Sequence, residues 1–545
     1  MLKLIDATGP FFLGYNKKTI NWSKIPFEHL EQEGTLDANK LRRILPAFRN
    51  YVKRIRRIGY NAITLDDLAH LVSYPCYDEP TKTKLTHYRR LYTRLITIAR
   101  NEQLKVYITT DAYFQNTRLR QAIREHGLAT IMRQGITRAL RDYDISGIIL
   151  RIGESDGIDV DTDFTSTLYI RTPRQANRLL KRLLPTFEQH NKTLIIRTWT
   201  IGAHPIGDLM WNPHTHACVF AGIHSPHLII SHKYGESDFY RYLPLNRNAL
   251  DPTHKTIIEF QTRREYEGFG TLPNYTGWQY EHYLRTLRQL PHFQGISVWC
   301  QTGGWGRTRD LTYVENSSPW VELNTETLLR ILEGTSANDA ARDHALTHGH
   351  SPDTFLTFLA HNARAIDTLL YNPAFARQER FIGGTRAPPL LWVYWDTILL
   401  TPSIQALYQK NADLSHFQEG LCAINHATTL AAQLDLDYTY AKDSLTLLAH
   451  CQHALFFGTT DHLRTHINTY TTKHPGRYRV ILSCDAIEHN LRAIIAHLFR
   501  TQPPYRAIDA ALFRTPLKVA IRYLADRYQT SNKLAYGMRI GTILQ

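Results

Sequence analysis

The sequence predicts an α/β fold, a (β/α)8 TIM barrel followed by an all-α C-terminal region. Three observations carry the prediction. Short β-branched runs recur through the first 320 residues. Segments with apolar spacing near 3.6 separate most of them, for example Leu41, Ile44, Leu45, Phe48, Val52 and Ile55. Beyond residue 320 the strand-like runs give way to Leu, Ala and His at helical spacing. Continuous apolar runs alternating with helices read as parallel strands with crossover connections.

Taken in order, the strand candidates are Phe11–Tyr15, Asn61–Asp66, Lys105–Asp111, Gly147–Glu154, Thr193–Thr200, His227–Lys233, Thr256–Gln261 and Gly295–Gln301. Eight such units in a stretch of this length match a barrel with enlarged loops. A doubly wound sheet of six or seven strands is the structural rival. Asn324-Thr325-Glu326-Thr327 has the pattern of a helix N-terminus. Helices are then expected over Thr354–Leu370, Ile404–Lys410, Phe417–Leu434, Ala441–Phe457 and Ala486–Phe499. Pro388-Pro389 and Pro503-Pro504 mark turns. The expected domains are a barrel over 1–320 and a helical domain over 321–545.

A chain of 545 residues is too long for one compact core. No apolar run reaches the roughly 20 residues that span a bilayer, so no membrane partner is expected. The opening residues lack the long apolar stretch of a secretory signal. The expected location is therefore cytoplasmic, or secreted if a signal has been removed. The six cysteines are scattered with no CxxC, which argues for buried thiols over a disulfide framework. The net charge of +15 gathers on helical segments such as Lys40–Arg57 and Arg118–Arg141. The solvated outer face of barrel helices accounts for it, and attraction of a polyanion is the functional alternative. No nucleic-acid module accompanies the charge, so no nucleic-acid partner is expected.

The chemistry sits at the strand ends. Glu154 closes the fourth run, Asp238 follows the sixth, and Glu265 follows the seventh. In a barrel the carboxyl ends of the strands meet at one mouth, where active sites form. Carboxyls converging there suit acid–base hydrolysis of a glycosidic bond. Arg151, Arg197 and Lys233 stand beside them, and an anionic substituent on a sugar is best held by such charge-assisted hydrogen bonds. The same cations would also serve merely to neutralise the acids. Six of the nine tryptophans fall between 199 and 320. Trp199, Trp299 and Trp305 are candidates to stack on sugar rings. The HxH pairs His214/His216 and His348/His350 lack a carboxylate at ligand spacing, and with 27 histidines such pairs arise by chance. No metal and no cofactor is expected.

These segments resemble the family 67 glycoside hydrolases, the α-glucuronidases. Gly147-Ile148-Ile149-Leu150-Arg151-Ile152-Gly153-Glu154 is similar to that family's strand ending in its proton donor, one residue shorter. Lys233-Tyr234-Gly235-Glu236-Ser237-Asp238-Phe239 resembles the family's Lys-Asn-Gly-Pro-Ile-Asp-Phe. Glu259-Phe260-Gln261-Thr262-Arg263-Arg264-Glu265-Tyr266-Glu267-Gly268 resembles its Glu-Phe-Gln-Ile-Thr-Gln-Glu-Tyr-Leu-Gly without gaps. Ile195-Ile196-Arg197-Thr198-Trp199 resembles its Met-Trp-Arg-Ala-Phe. In Gly59–Asp67, two asparagines of the family stand in place of Asp66 and Asp67. The resemblance spans residues 7–330 and continues weakly into the helical region. It is that of a distant relative lacking the family's N-terminal β-rich domain.

The resemblance implies an inverting, exo-acting α-glucuronidase that removes terminal (4-O-methyl)glucuronic acid from oligosaccharides. Glu154 would be the acid. Asp238 and Glu265 would activate water, with Glu236 a close competitor of Asp238. Arg151, Arg197 and Lys233 would hold the uronate, and Glu259 would orient cationic side chains. The helical domain would extend the site or mediate a homodimer. Two rivals stay open. One is hydrolysis of another acidic sugar such as an α-galacturonide. The other is a non-catalytic polyanion- or carbohydrate-binding protein on a degenerate barrel.

Overall fold

A computed structural model describes residues 1–15, 24–153, 164–200, 204–301, 310–379, 381–382, 385–386, 389–390, 392–394, 397–458 and 461–482. Eight strands close into a barrel: β1 (Leu2–Asp6), β2 (Ala62–Asp66), β3 (Lys105–Asp111), β4 (Gly147–Gly153), β5 (Thr193–Thr200), β6 (Leu228–Lys233), β7 (Lys255–Gln261) and β8 (Phe293–Trp299). Every neighbouring pair is parallel, and β1 pairs with both β2 and β8. Strands packed this closely leave no room for a side chain at Gly147, where a Cβ would sit 2.0 Å from the Thr193 carbonyl oxygen.

The longer helices between the strands are α1 (Ala38–Ile58), α2 (Glu79–Asn101), α3 (Thr117–His126), α4 (Leu128–Asp142), α5 (Pro173–Gln189), α6 (Pro213–Phe220) and α7 (Gly277–Leu287). They present the predicted apolar faces: Ile44, Leu45, Phe48, Val52 and Ile55 of α1 are all buried. Asp37 caps α1 by accepting from the Asn39 and Lys40 amides, and Gly59 ends it in the left-handed region. After β8 comes α8 (Pro319–Glu333), which completes the eighth unit. Tyr60, just ahead of β2, donates to its Thr325 carbonyl (2.9 Å), and Lys3 of β1 pairs with its Glu333. The barrel's last helix thus runs past residue 320.

Seven of the eight strands lie within two residues of their predicted bounds. The first does not. Phe11–Tyr15 is no strand: Gly9–Phe12 forms a 3-10 turn started by Pro10, and Phe12, Leu13 and Tyr15 pack with Leu311 in a separate apolar cluster. The true first strand is only five residues long. The predicted cap at Asn324 also lies mid-helix, because Ser318 caps α8 and Asn324 turns inward to accept from the Thr276 amide (2.9 Å).

The C-terminal region contains α9 (Ala337–Thr347), α10 (Pro352–Ala365), a π-helical turn over Ile366–Tyr371, α11 (Pro402–Asn411), α12 (Phe417–Gln433), α13 (Thr439–Phe457) and α14 (Asp461–Lys473). It also holds a small sheet of β9 (Val393–Tyr394), β10 (Thr397–Leu400) and β11 (Arg479–Leu482). Its apolar residues are continuous with those outside the barrel strands in one cluster. The helix expected over Ala486–Phe499 lies outside the described residues. Among the described residues, no helix is long and apolar enough to cross a membrane.

Candidate active site at the barrel mouth

Strand alternation builds the barrel interior in layers. Successive side chains point to opposite faces, so residues two apart share the interior. The lower layer is apolar: Leu2, Leu4, Ala62, Tyr107, Ile149, Ile195 and Ile257, with Ile229 packed against them. One step up, the same parity brings Thr64, Thr109, Arg151, Arg197, Ser231, Glu259 and Ser297 inside, all buried. The Thr64 and Thr109 hydroxyls meet at 2.6 Å, as neighbours on one interior face must. The last step reaches the mouth with Asp6, Asp66, Asp111, Trp199, Lys233, Gln261 and Trp299.

The predicted cations are all present there, and each is paired. Arg197 binds Glu259 bidentately, with Nε and one terminal nitrogen each donating at 2.8 Å. Ser231 Oγ (2.7 Å) and Trp299 Nε1 (3.1 Å) donate to the same carboxylate, and the Arg197 guanidinium lies 4.6 Å from the Trp299 ring centroid. Burial works against the Glu259 charge, but Arg197 and these donors outweigh it and hold the carboxyl below its ordinary range. Trp299 therefore supports the Arg197–Glu259 pair, its face covered by a cation. Arg151 lies between two carboxylates, 3.1 Å from Asp111 and 3.5 Å from Asp66.

Lys233 pairs with Asp238, and its ammonium sits 3.5 Å from the Trp199 ring centroid and 4.3 Å from that of Phe239. Asp238 also accepts from the Tyr266 hydroxyl at 2.8 Å. Tyr266 stacks on Tyr240, with centroids 4.2 Å apart. Glu265, the residue before Tyr266, is held by Gln261 at the end of β7. The Gln261 amide donates to it at 3.0 Å, and its own backbone amide donates back to Gln261 Oε1 at 2.9 Å. Asp238 and Glu265 are thus brought to one sector of the mouth through adjacent residues. Glu236 is not with them. It is buried and accepts from Arg247 (2.9 Å) and Arg386 (2.9 Å). Glu154 and Trp305 lie outside the described residues.

On the opposite side stands a cluster that sequence reasoning assigned no role. Lys24 bridges Asp111 (2.5 Å) and Ser166 (2.9 Å), and Ser166 donates to Asp111. Asp66 accepts from the Ile25 amide at 2.9 Å. The two carboxyls that share Arg151 are pushed apart. For Asp111 burial raises the pKa, but Arg151 and Lys24 overcome it and leave it lowered. For Asp66 burial prevails over Arg151, Asp67 adds to it, and the carboxyl rises to about 7. The strand-end position that singled out Glu154 would have found both aspartates; each closes an apolar run.

A raised carboxyl pKa favours the folded state at low pH. Asp66 therefore contributes stability that is present below its ordinary value of 3.8 and is lost as pH rises through about 7. The expected result is that Asp66→Asn flattens the decline of the thermal midpoint between pH 4 and 8. An unchanged slope in the variant would show that Asp66 does not hold its proton there.

No family model matches this chain, and no curated protein does. Solved structures similar to it include a GH138 enzyme targeting pectin rhamnogalacturonan II, at 9% identity and a TM-score of 0.49 over 96% of this chain. The chain spans 62% of that enzyme's length. A D-allulose 3-epimerase from Methylomonas sp. is similar at 8% identity and a TM-score of 0.36, over 61% of this chain and 97% of that one. An endocellulase from Pyrococcus horikoshii is similar at 14% identity and a TM-score of 0.33, over 52% of this chain and 86% of that one. Glycoside hydrolases thus stand among its structural neighbours beside an epimerase, and the likeness is one of fold.

Proposed function

We propose that the chain is a glycoside hydrolase that removes a terminal uronic acid, an inverting, exo-acting α-glucuronidase acting on (4-O-methyl)glucuronic acid. The observation that carries the reading is the shared sector of Asp238 and Glu265, joined through Tyr266 and flanked by Lys233 and Trp199. In this reading Asp238 and Glu265 activate the attacking water, and Glu154 protonates the glycosidic oxygen. Inversion asks for a gap of about 6.5–9.5 Å between acid and base, so that water fits. An ammonium has three donors, and one on Asp238 leaves Lys233 others for the sugar carboxylate. The Trp199 ring, like that of Trp299, carries a cation on its face, and it fixes the Lys233 ammonium toward the sugar carboxylate. Arg197 and Arg151 act through the carboxylates they hold.

The buried position of Asp66 favours a second assignment of the acid within the same reaction, because burial raises its carboxyl to about 7 and so favours the protonated form a general acid needs. The variants Glu154→Gln and Asp66→Asn separate the two: the acid's variant loses turnover and the basic limb of its pH profile.

The test is release of free glucuronic acid from an α-1,2-glucuronosyl xylo-oligosaccharide, with an α-galacturonide in parallel and the product anomer followed by NMR. Release of the β-anomer first is the expected result. Release from the galacturonide alone would reassign the sugar. Binding of both without turnover, falling steeply with salt, would replace the hydrolase by the polyanion-binding alternative.

A further inference from the structure

A second constellation stands away from the barrel mouth, on the helix pair α13 and α14. His450 belongs to α13, and His462 and His466 belong to α14. Residues four apart on a helix are neighbours on one face, one turn from each other. The Nε2 atoms of His462 and His466 accordingly lie 2.8 Å apart. The His450 ring stacks on that of His466, with centroids 3.7 Å apart and planes at 17°. It meets His462 edge-on at 5.8 Å. One ligand nitrogen from each of the three lies within 4.8 Å of the other two.

That spacing is the relevant one for a metal. A tetrahedral zinc ion with Zn–N bonds of about 2.0–2.1 Å sets its ligand nitrogens about 3.3 Å apart. Imidazole is also the ligand that suits zinc, copper and nickel, whereas calcium and magnesium ask for oxygen. The three rings have little else to hold them together: among the described residues no carboxylate pairs with any of them. The other His-rich cluster differs in this respect. There Glu326 already binds Arg54 (3.1 Å) and His344 (3.1 Å), so its charge is met within the protein.

We propose that His450, His462 and His466 bind one divalent transition-metal ion of the zinc class, with water in the fourth position. The ion ties α14 to α13 and so anchors β11, which follows α14 and pairs with β10. Ring-nitrogen lone pairs lie in the ring planes, so loading turns His450 out of its stack on His466. The HxH pairs His214/His216 and His348/His350 supply none of these ligands; His216 is buried against Phe220 and His232.

The full chain, stripped with EDTA, is titrated with Zn2+ by calorimetry and with Co2+ by visible absorption. One ion per chain, tetrahedral cobalt bands and a higher thermal midpoint are the expected results. His462→Ala and His466→Ala should each weaken binding at least about 100-fold, beyond the 10–100-fold that follows loss of a ligand's supporting partner. His462→Gln, which keeps size and polarity at this exposed position, should do the same while retaining the far-ultraviolet dichroism of the parent. His453→Ala and His348→Ala should bind as the parent does. Parental affinity in His462→Gln and His466→Ala, or no uptake by the parent at micromolar Zn2+, would overturn the proposal.

Discussion

Glu265→Gln and Asp238→Asn will each lower kcat for the proposed uronoside hydrolysis by about 10²–10⁴-fold, the range that a positioned acid–base group contributes. The two should not have the same signature. Gln261 holds Glu265 at the end of β7, and a glutamine there can still accept from the Gln261 amide. Its variant should change kcat with little change in KM. Asp238 also balances the charge of Lys233. Its variant frees that ammonium for an anionic sugar, so KM should fall while kcat falls too. The parent's pH profile should be bell-shaped, and whichever variant removes the base should lose the acidic limb. Retention of parental kcat by both would remove Asp238 and Glu265 from the chemistry.

Glu267→Gln will destabilise the protein by about 3–5 kcal/mol, the cost of breaking a buried ion pair from one side. Glu267 is fully buried and binds Arg264, Arg241 (3.2 Å) and the Tyr371 hydroxyl (2.6 Å). Removing its charge leaves Arg264 buried with Tyr234 as a neutral partner at 2.9 Å. Burial alone would push the Glu267 carboxyl up, but Arg241 and Arg264 outweigh it and bring it to about 2. A depressed carboxyl stabilises the fold above its ordinary value of 4.5, and that stability is lost as pH falls through about 2. The parent should therefore weaken between pH 4.5 and 2 by more than the variant does, as read from urea midpoints. Equal acid sensitivity would place the acid-labile groups elsewhere. Tyr371 comes from the π-helical turn and Arg241 also binds Asp367 there (3.0 Å), so this cluster fastens the C-terminal region to the loops above the mouth.

Barrel strands buried on both faces read as continuous apolar runs, which made seven of the eight legible. The exception follows the same physics. Leu2-Lys3-Leu4-Ile5-Asp6 is short and interrupted by a lysine, while Phe11-Phe12-Leu13 looks more strand-like but serves as a buried turn. The strand-end position of Lys233, Trp199 and Trp299 was legible too, because side-chain period and strand length together decide what reaches the mouth. The small sheet of β9 to β11 was not. Its strands are two to four residues long, too short for a period to register.

Linear pattern thus determined which residues would stand at the mouth: local periodicity acts over a few residues and is written in the chain. Their partners were decided only by closure of the barrel. Arg197 and Glu259 are 62 positions apart and meet from β5 and β7 across Ser231, as interior layers drawn from alternate strands do. Arg151 of β4 reaches Asp66 on the alternate strand β2 and Asp111 on the adjacent strand β3. Which carboxyl is lowered and which is raised depends on burial and on the nearest guanidinium, quantities that exist only once the strands are packed.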